Sequence, residues 1–126
     1  MVVLVGKDSP FFDRKEAENL FNINRENLDD EDGFDALLKR SVFFNLYNRG
    51  YVGSIFVYDR YGNYYLGGYA KRHHMKDNIE AIERVADMFD VVFAETRHKT
   101  AINVLFRAGF KWFDKENRIL RRVKNE

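Results

Sequence analysis

A chain of 126 residues that is 45% apolar, with 12 Phe and 7 Tyr, is long enough to be read as one domain, residues 1–126, around a single packed core. The absence of cysteine excludes disulfides, cysteine-ligated zinc and thiol catalysis. A formal net charge of +1 gives no whole-chain pull toward nucleic acid or membrane. With no apolar run of spanning length and no basic-then-apolar leader, a soluble, cytoplasmic protein is the expectation.

Residues 2–5 read as a short apolar strand. Ser9-Pro10 then reads as a helix start, with Ser9 capping and Pro10 in the first helical position, and residues 11–21 bring Phe12, Ala17, Leu20 and Phe21 to the interior. A polar stretch, residues 22–32, ends in the acidic run Asp29-Asp30-Glu31-Asp32. Residues 34–40 form a second short helix with Phe34, Leu37 and Leu38 on one side. Val42, Phe44 and Leu46 alternate with Phe43, Asn45 and Tyr47, which is the period of a strand.

Asn48-Arg49-Gly50 signals a turn. Residues 52–58 and 64–69 then read as strands around a glycine-containing loop, residues 59–63. Gly67-Gly68 inside the second of these predicts a β-bulge or a close backbone approach. Asp77 opens a helix with Glu80 as its capping-box partner, and Ile79, Ile82, Ala86 and Phe89 form its buried face. Residues 91–94 read as a strand covered on both faces. Thr96 can cap the helix that follows. Ala101, Val104, Leu105 and Ala108 share one face of it, and Gly109 fits the left-handed position past its end. Phe93, Ala101, Leu105, Phe110, Ile79 and Ile82 are expected in the core. A closing hairpin turns at residues 114–117 and returns through 119–123. The order is β-α-α-β-β-β-α-β-α-β-β, an α/β (α+β) pattern.

Residues 91–110, VVFAETRHKTAINVLFRAGF, resemble the last conserved segment of the GNAT superfamily of N-acetyltransferases. In that segment a strand ends beside acetyl-CoA, and a helix closing on Gly-Phe packs against the pantetheine arm. With Gly109-Phe110 as anchor, Ala101 falls on the family's small residue and His98 where asparagine is usual. Leu105 falls where many active members carry a tyrosine that protonates the leaving thiolate. The element order is also that superfamily's, a three-strand meander before a βαβ-like half. The resemblance implies a GNAT-like mixed β-sheet flanked by helices, with a ferredoxin-like or other α+β sandwich as the alternative for the same element pattern. It also implies acetyl-CoA along the strand that carries Gly67, Gly68 and Tyr69, with its pyrophosphate at the N-terminus of the next helix.

The family's pyrophosphate loop runs Arg or Gln, two residues, Gly, one residue, then Gly or Ala. Here Arg72 takes the first position, and Met75 and Asp77 replace the small residues. A bulky side chain and a carboxylate at those places predict weak or absent acetyl-CoA binding, with Lys71, Arg72 and Lys76 either offering side-chain contacts in compensation or forming a solvated basic helix start. Glu95 and His98, near the end of the strand, are the candidate general bases, and His98 reads equally as an exposed first-turn residue of the helix. His73 and His74 are adjacent and do not share a helical face, so no metal site is expected.

Two charge clusters have alternative readings. Glu26, Asp29, Asp30, Glu31, Asp32 and Asp35 either attract an amine substrate or form a solvated loop. Arg118, Arg121, Arg122 and Lys124 beside Trp112 and Phe113 either contact nucleic acid or protect an edge strand by charge. Three function classes follow. The first is an acetyl-CoA-dependent N-acetyltransferase acting on an amine. The second is a non-enzymatic protein of this fold with a protein partner, resembling short phage proteins of the virion or its assembly. The third is a nucleic-acid-binding α+β domain; the lost loop glycines and the lost tyrosine favour the second.

Overall fold

The computed structural model of the protein describes residues 1–28 and 32–125, so the Asp29-Asp30-Glu31 part of the acidic run lies outside the described residues. Among these residues the elements follow the expected order: β1 (Val3–Gly6), α1 (Arg14–Ile23), α2 (Phe34–Arg40), β2 (Ser41–Tyr47), β3 (Tyr51–Arg60), β4 (Asn63–Ala70), α3 (Met75–Ala86), β5 (Val91–Glu95), α4 (Lys99–Arg107), β6 (Lys111–Asp114) and β7 (Ile119–Val123). They build a seven-stranded sheet in the order β1-β2-β3-β4-β5-β7-β6. Its pairings are antiparallel except between β4 and β5, which run parallel, as the α3 crossover between them requires.

The sheet separates two cores. On one face Ile55, Val57, Leu66, Val92 and Ala94 pack against Ile82 and Val85 of α3 and Val104 and Leu105 of α4. On the other face Phe43, Phe56 and Tyr69 meet Phe21 of α1 and Phe34 and Leu37 of α2. Phe43 and Phe56 stack with ring centroids 5.7 Å apart, and Phe34 meets Phe43 edge-on at 5.8 Å. Among the described residues no helix is long and apolar enough to cross a membrane.

Several local expectations need correction. Ser9 and Pro10 do not open α1. They form a turn in which the Phe12 N–H donates to the Ser9 carbonyl at 3.1 Å, and Asp13 caps the helix by accepting from the Glu16 N–H at 3.1 Å. Helix α3 begins two residues before Asp77, with His74 at the N-cap. Glu80 makes no capping box, because its Oε2 accepts from the Val2 N–H at 3.0 Å and so holds the start of the chain. Thr96 does not cap α4. His98 is the N-cap residue, and Thr96 Oγ1 accepts from its N–H at 3.2 Å.

Strand β5 is covered on one face only: Val92 and Ala94 are buried, whereas Val91, Phe93 and Glu95 are partly open. Leu105, Phe110 and Ile82 are buried as expected, but Phe93, Ala101 and Ile79 are only half-buried. Gly109 takes φ 97°, the left-handed stop that its position implied. The basic C-terminal segment divides between the two faces. Arg122 turns inward, where its Nε donates to the Ala108 carbonyl at 2.9 Å and its guanidinium pairs with Asp87, so it closes the C-terminal ends of α3 and α4 instead of joining a basic surface.

Candidate functional site

The parallel seam between β4 and β5 is short. Among the described residues, the Tyr65–Phe93 register is its one pairing. Beyond it both strands continue on their outer neighbours: β4 stays paired with β3 as far as Ala70 opposite Gly53, and β5 with β7 as far as Glu95 opposite Ile119. The inner edges of residues 66–70 and 94–95 therefore part and leave a wedge with main-chain groups on its walls. The expected neighbourhood of the two strands and their parallel sense are present, and among the described residues their pairing stops short of Gly67-Gly68.

Gly67 and Gly68 line this wedge without the expected β-bulge, since both keep regular register opposite Phe56 and Ile55. Their lack of side chains answers the sheet itself. A Cβ on Gly67 would lie 2.5 Å from Phe56 Cε2, and one on Gly68 would lie 2.8 Å from the Ser54 carbonyl oxygen. Tyr69 borders the wedge with its backbone only. Its ring is buried, and its hydroxyl donates to the Ala17 carbonyl of α1 at 2.7 Å.

Beside Tyr69 runs a buried polar chain that the sequence pattern did not single out. Tyr51 Oη meets Ser54 Oγ at 2.6 Å, Ser54 Oγ donates to Asn45 Oδ1 at 2.8 Å, and Asn45 Nδ2 donates to the Asp13 carbonyl at 3.0 Å. Ser54 spends its one proton on Asn45, so Tyr51 is the donor to Ser54. Burial pushes the Tyr51 phenol up to about 12 and raises Tyr69 as well. The chain pins the N-terminus of α1 above the sheet and leaves neither phenol as a proton carrier at neutral pH.

Beyond the end of β4, α3 starts at a groove of about 670 Å³ lined by Asn48, His73, His74, Met75, Lys76 and Asp77. Among the described residues, nothing accepts from the N–H groups of Met75, Lys76 and Asp77 in the first turn. Three donors and the positive end of the helix thus face the groove, and exposed Lys76 adds a cation. Asp77 opposes them. Its carboxylate lines the groove, accepts from Asn48 Nδ2 at 3.0 Å and lies 3.3 Å from His74 Nδ1. Arg72 is exposed in the preceding turn, outside the lining of the groove. The residues present thus fit a pyrophosphate in part: main-chain donors and Lys76 favour it, while the Asp77 charge and the Met75 side chain count against it.

The two candidate bases differ. His98 is exposed at the N-cap of α4. Glu95, at the end of β5, is half-buried and accepts from Arg60 Nη1 at 3.1 Å. Burial alone would lower the Arg60 pKa, but the hydrogen bond and charge of Glu95 outweigh it and leave the pKa raised. Sequence reasoning missed this pair, because 35 residues separate its members. No group of His, Asp or Glu among the described residues is arranged to hold a metal ion. Of the acidic cluster, Asp35 pairs with Arg14 and Asp32 with Arg40, so that part of it is neutralised.

No family model and no curated protein matches the sequence. Solved structures do match the fold. A putative acetyltransferase from Sphaerobacter thermophilus superposes with a TM-score of 0.62 at 16% identity, over 98% of this chain and 94% of its own. The ribosomal-protein-S18-alanine N-acetyltransferase from Escherichia coli superposes with a TM-score of 0.54 at 13% identity, over 100% of this chain and 99% of its own. At these identities the likeness is one of fold. The antiparallel meander, the single parallel seam that parts beyond Tyr65 and Phe93, and the β7 strand inserted before β6 together give this chain the GNAT-like fold.

Proposed function

We propose that this chain is an acyl-CoA-dependent N-acyltransferase-like protein whose wedge between β4 and β5 takes the thioester arm and whose α3 N-terminus takes the pyrophosphate. The parting of β4 and β5 next to three unpaired first-turn amides is the observation that carries this reading. Acyl-CoA would supply the activated thioester. The acceptor amine would attack its carbonyl carbon, the C–S bond would break, and the nitrogen would give up a proton. In this reading Glu95 or His98 would receive that proton. Leu105 provides no acid for the departing thiolate, so solvent must protonate it.

Binding is weak and salt-sensitive in this proposal, because Asp77 offsets part of the helix field and Lys76 and Arg72 act as exposed point charges. Calorimetric titration with acetyl-CoA at low and physiological salt tests it. Affinity should fall with salt and fall again in Lys76→Ala and Arg72→Ala. Tight, salt-insensitive binding would mean that the main chain alone forms the anion site, and no binding at either salt would remove the reading.

A second reading is a non-enzymatic protein of the same fold, such as a phage virion or assembly component that docks on a protein partner. The ion pair that engages Glu95, together with Leu105 at the tyrosine position, favours it. Thiol release from acetyl-CoA in the presence of amine acceptors separates the two readings, since only the first generates free thiol.

A further inference from the structure

We propose that the open face of β5, β7 and β6 binds single-stranded nucleic acid, independently of the acyl-CoA reading. Among the described residues, α1 packs on β3 and β4 and α2 on β2. The remaining strands of that face are left to solvent: Phe113 is 55% exposed and Val91 37%. The register aligns Tyr58, Tyr65, Phe93, Arg121 and Lys111 in one row across five strands. Buried Tyr65 stacks on half-buried Phe93 at 5.5 Å, and Phe93 meets exposed Phe113 edge-on at 5.2 Å, so the row of rings ends in one open to solvent.

Arginines lie over these rings. Arg40 sits 5.4 Å from the Tyr58 centroid, Arg60 4.8 Å from Tyr65, and Arg121 4.9 Å from Phe113. Arg60 and Arg40 keep side-chain exposures of 39% and 40%, so their guanidinium planes are within reach of a ligand. Guanidinium planes and aromatic rings are the two side-chain surfaces on which unstacked bases pack, and the same cations serve the phosphates. Glu95 and Asp32 stand on this face, but each is already paired with an arginine, Arg60 and Arg40. Arg121 of β7 and exposed Lys111 of β6, opposite each other on this face, add cations to which a polynucleotide brings phosphates. Trp112 and Arg118 are not part of the platform, because Trp112 packs against Phe106 of α4 on the opposite face.

Fluorescence anisotropy with a labelled oligothymidylate of about 15 nucleotides tests the proposal. Saturable binding is expected, weakening about tenfold between roughly 50 and 200 mM salt. Phe113→Ala and Arg121→Ala should each weaken binding about fivefold or more, while Phe113→Trp, which keeps a stacking surface, retains it. Lys76→Ala should bind the oligonucleotide as the parent does, which separates this face from the α3 groove. Thermal melts of each variant establish that the fold is intact. Absence of binding at low salt, equal affinity for a duplex of the same length, or unchanged affinity in both alanine variants would overturn the proposal. So would light scattering that shows a dimer which Phe113→Ala dissociates, because a second copy would then occupy the face.

Discussion

Arg60 Nη1 donates to Glu95 Oε2 at 3.1 Å, passing over the Tyr65 ring beside the point where β4 and β5 part. The candidate base is therefore engaged by a cation of its own chain. Both partners are about a third exposed, so solvent screens the pair and its contribution to stability is small. A double-mutant cycle of Arg60→Ala and Glu95→Gln, read by urea denaturation, should return a coupling of about 0–1 kcal/mol. A coupling above about 3 kcal/mol, the scale of a broken buried pair, would show that the contact is buried and structural.

Gly67 has no room for a methyl group. Gly67→Ala would place a Cβ 2.5 Å from Phe56 Cε2 and 2.7 Å from Cζ, on a ring already stacked against Phe43. The expected loss is about 1–3 kcal/mol, the range for overpacking a filled core, and Phe56→Leu in the same chain should recover part of it. Equal stability of the single variant and the parent would show that the Phe56 ring moves freely.

Leu105 is buried at 6% exposure in the core under α3 and α4. Leu105→Ala should cost about 2–5 kcal/mol by chemical denaturation. A loss below about 1 kcal/mol would place the side chain in an open cleft instead of packed core.

Tyr51 and Tyr69 set an alkaline limit on stability. The Tyr51 pKa is raised by burial from 10.0 to about 12, and that of Tyr69 is raised for the same reason. Below about pH 10 both phenols are protonated in folded and unfolded chains, and their contribution is fully present. As pH rises from there toward the folded-state value, the unfolded chain loses its protons first and stability falls. Thermal midpoints measured from about pH 9 to pH 11 should therefore drop, and drop less in Tyr51→Phe, although that variant starts lower after losing its bond to Ser54. A parallel decline in both proteins would assign the effect to other groups.

The element order was legible because α2 and β2 carry clean periodicity, and their bounds agree with the sequence reading at nearly every residue. Helix starts were harder to read. Ser9-Pro10 and Asp77 with Glu80 have the local chemistry of caps, but the chain uses Ser9 in a turn and Glu80 to hold Val2, 78 residues away. Short-range patterns contain no record of such distant partners. The same limit applies to the site. The two glycines looked like a bulge or a ligand contact, whereas their smallness answers Phe56 and Ser54 on the neighbouring strand. Phe93 looked like core because an apolar run does not reveal that one face of its strand is bare. Met75 and Asp77 were legible as a poor anion loop, but the free amides that accompany them were not.

Amide-resolved NMR during titration with acetyl-CoA tests the acyl-CoA site most directly. The account predicts the largest shifts at the amides of Met75, Lys76 and Asp77, with a second group along residues 66–70, and reversal of both as salt is raised. Shifts confined to other surfaces, or none at millimolar ligand, would contradict it.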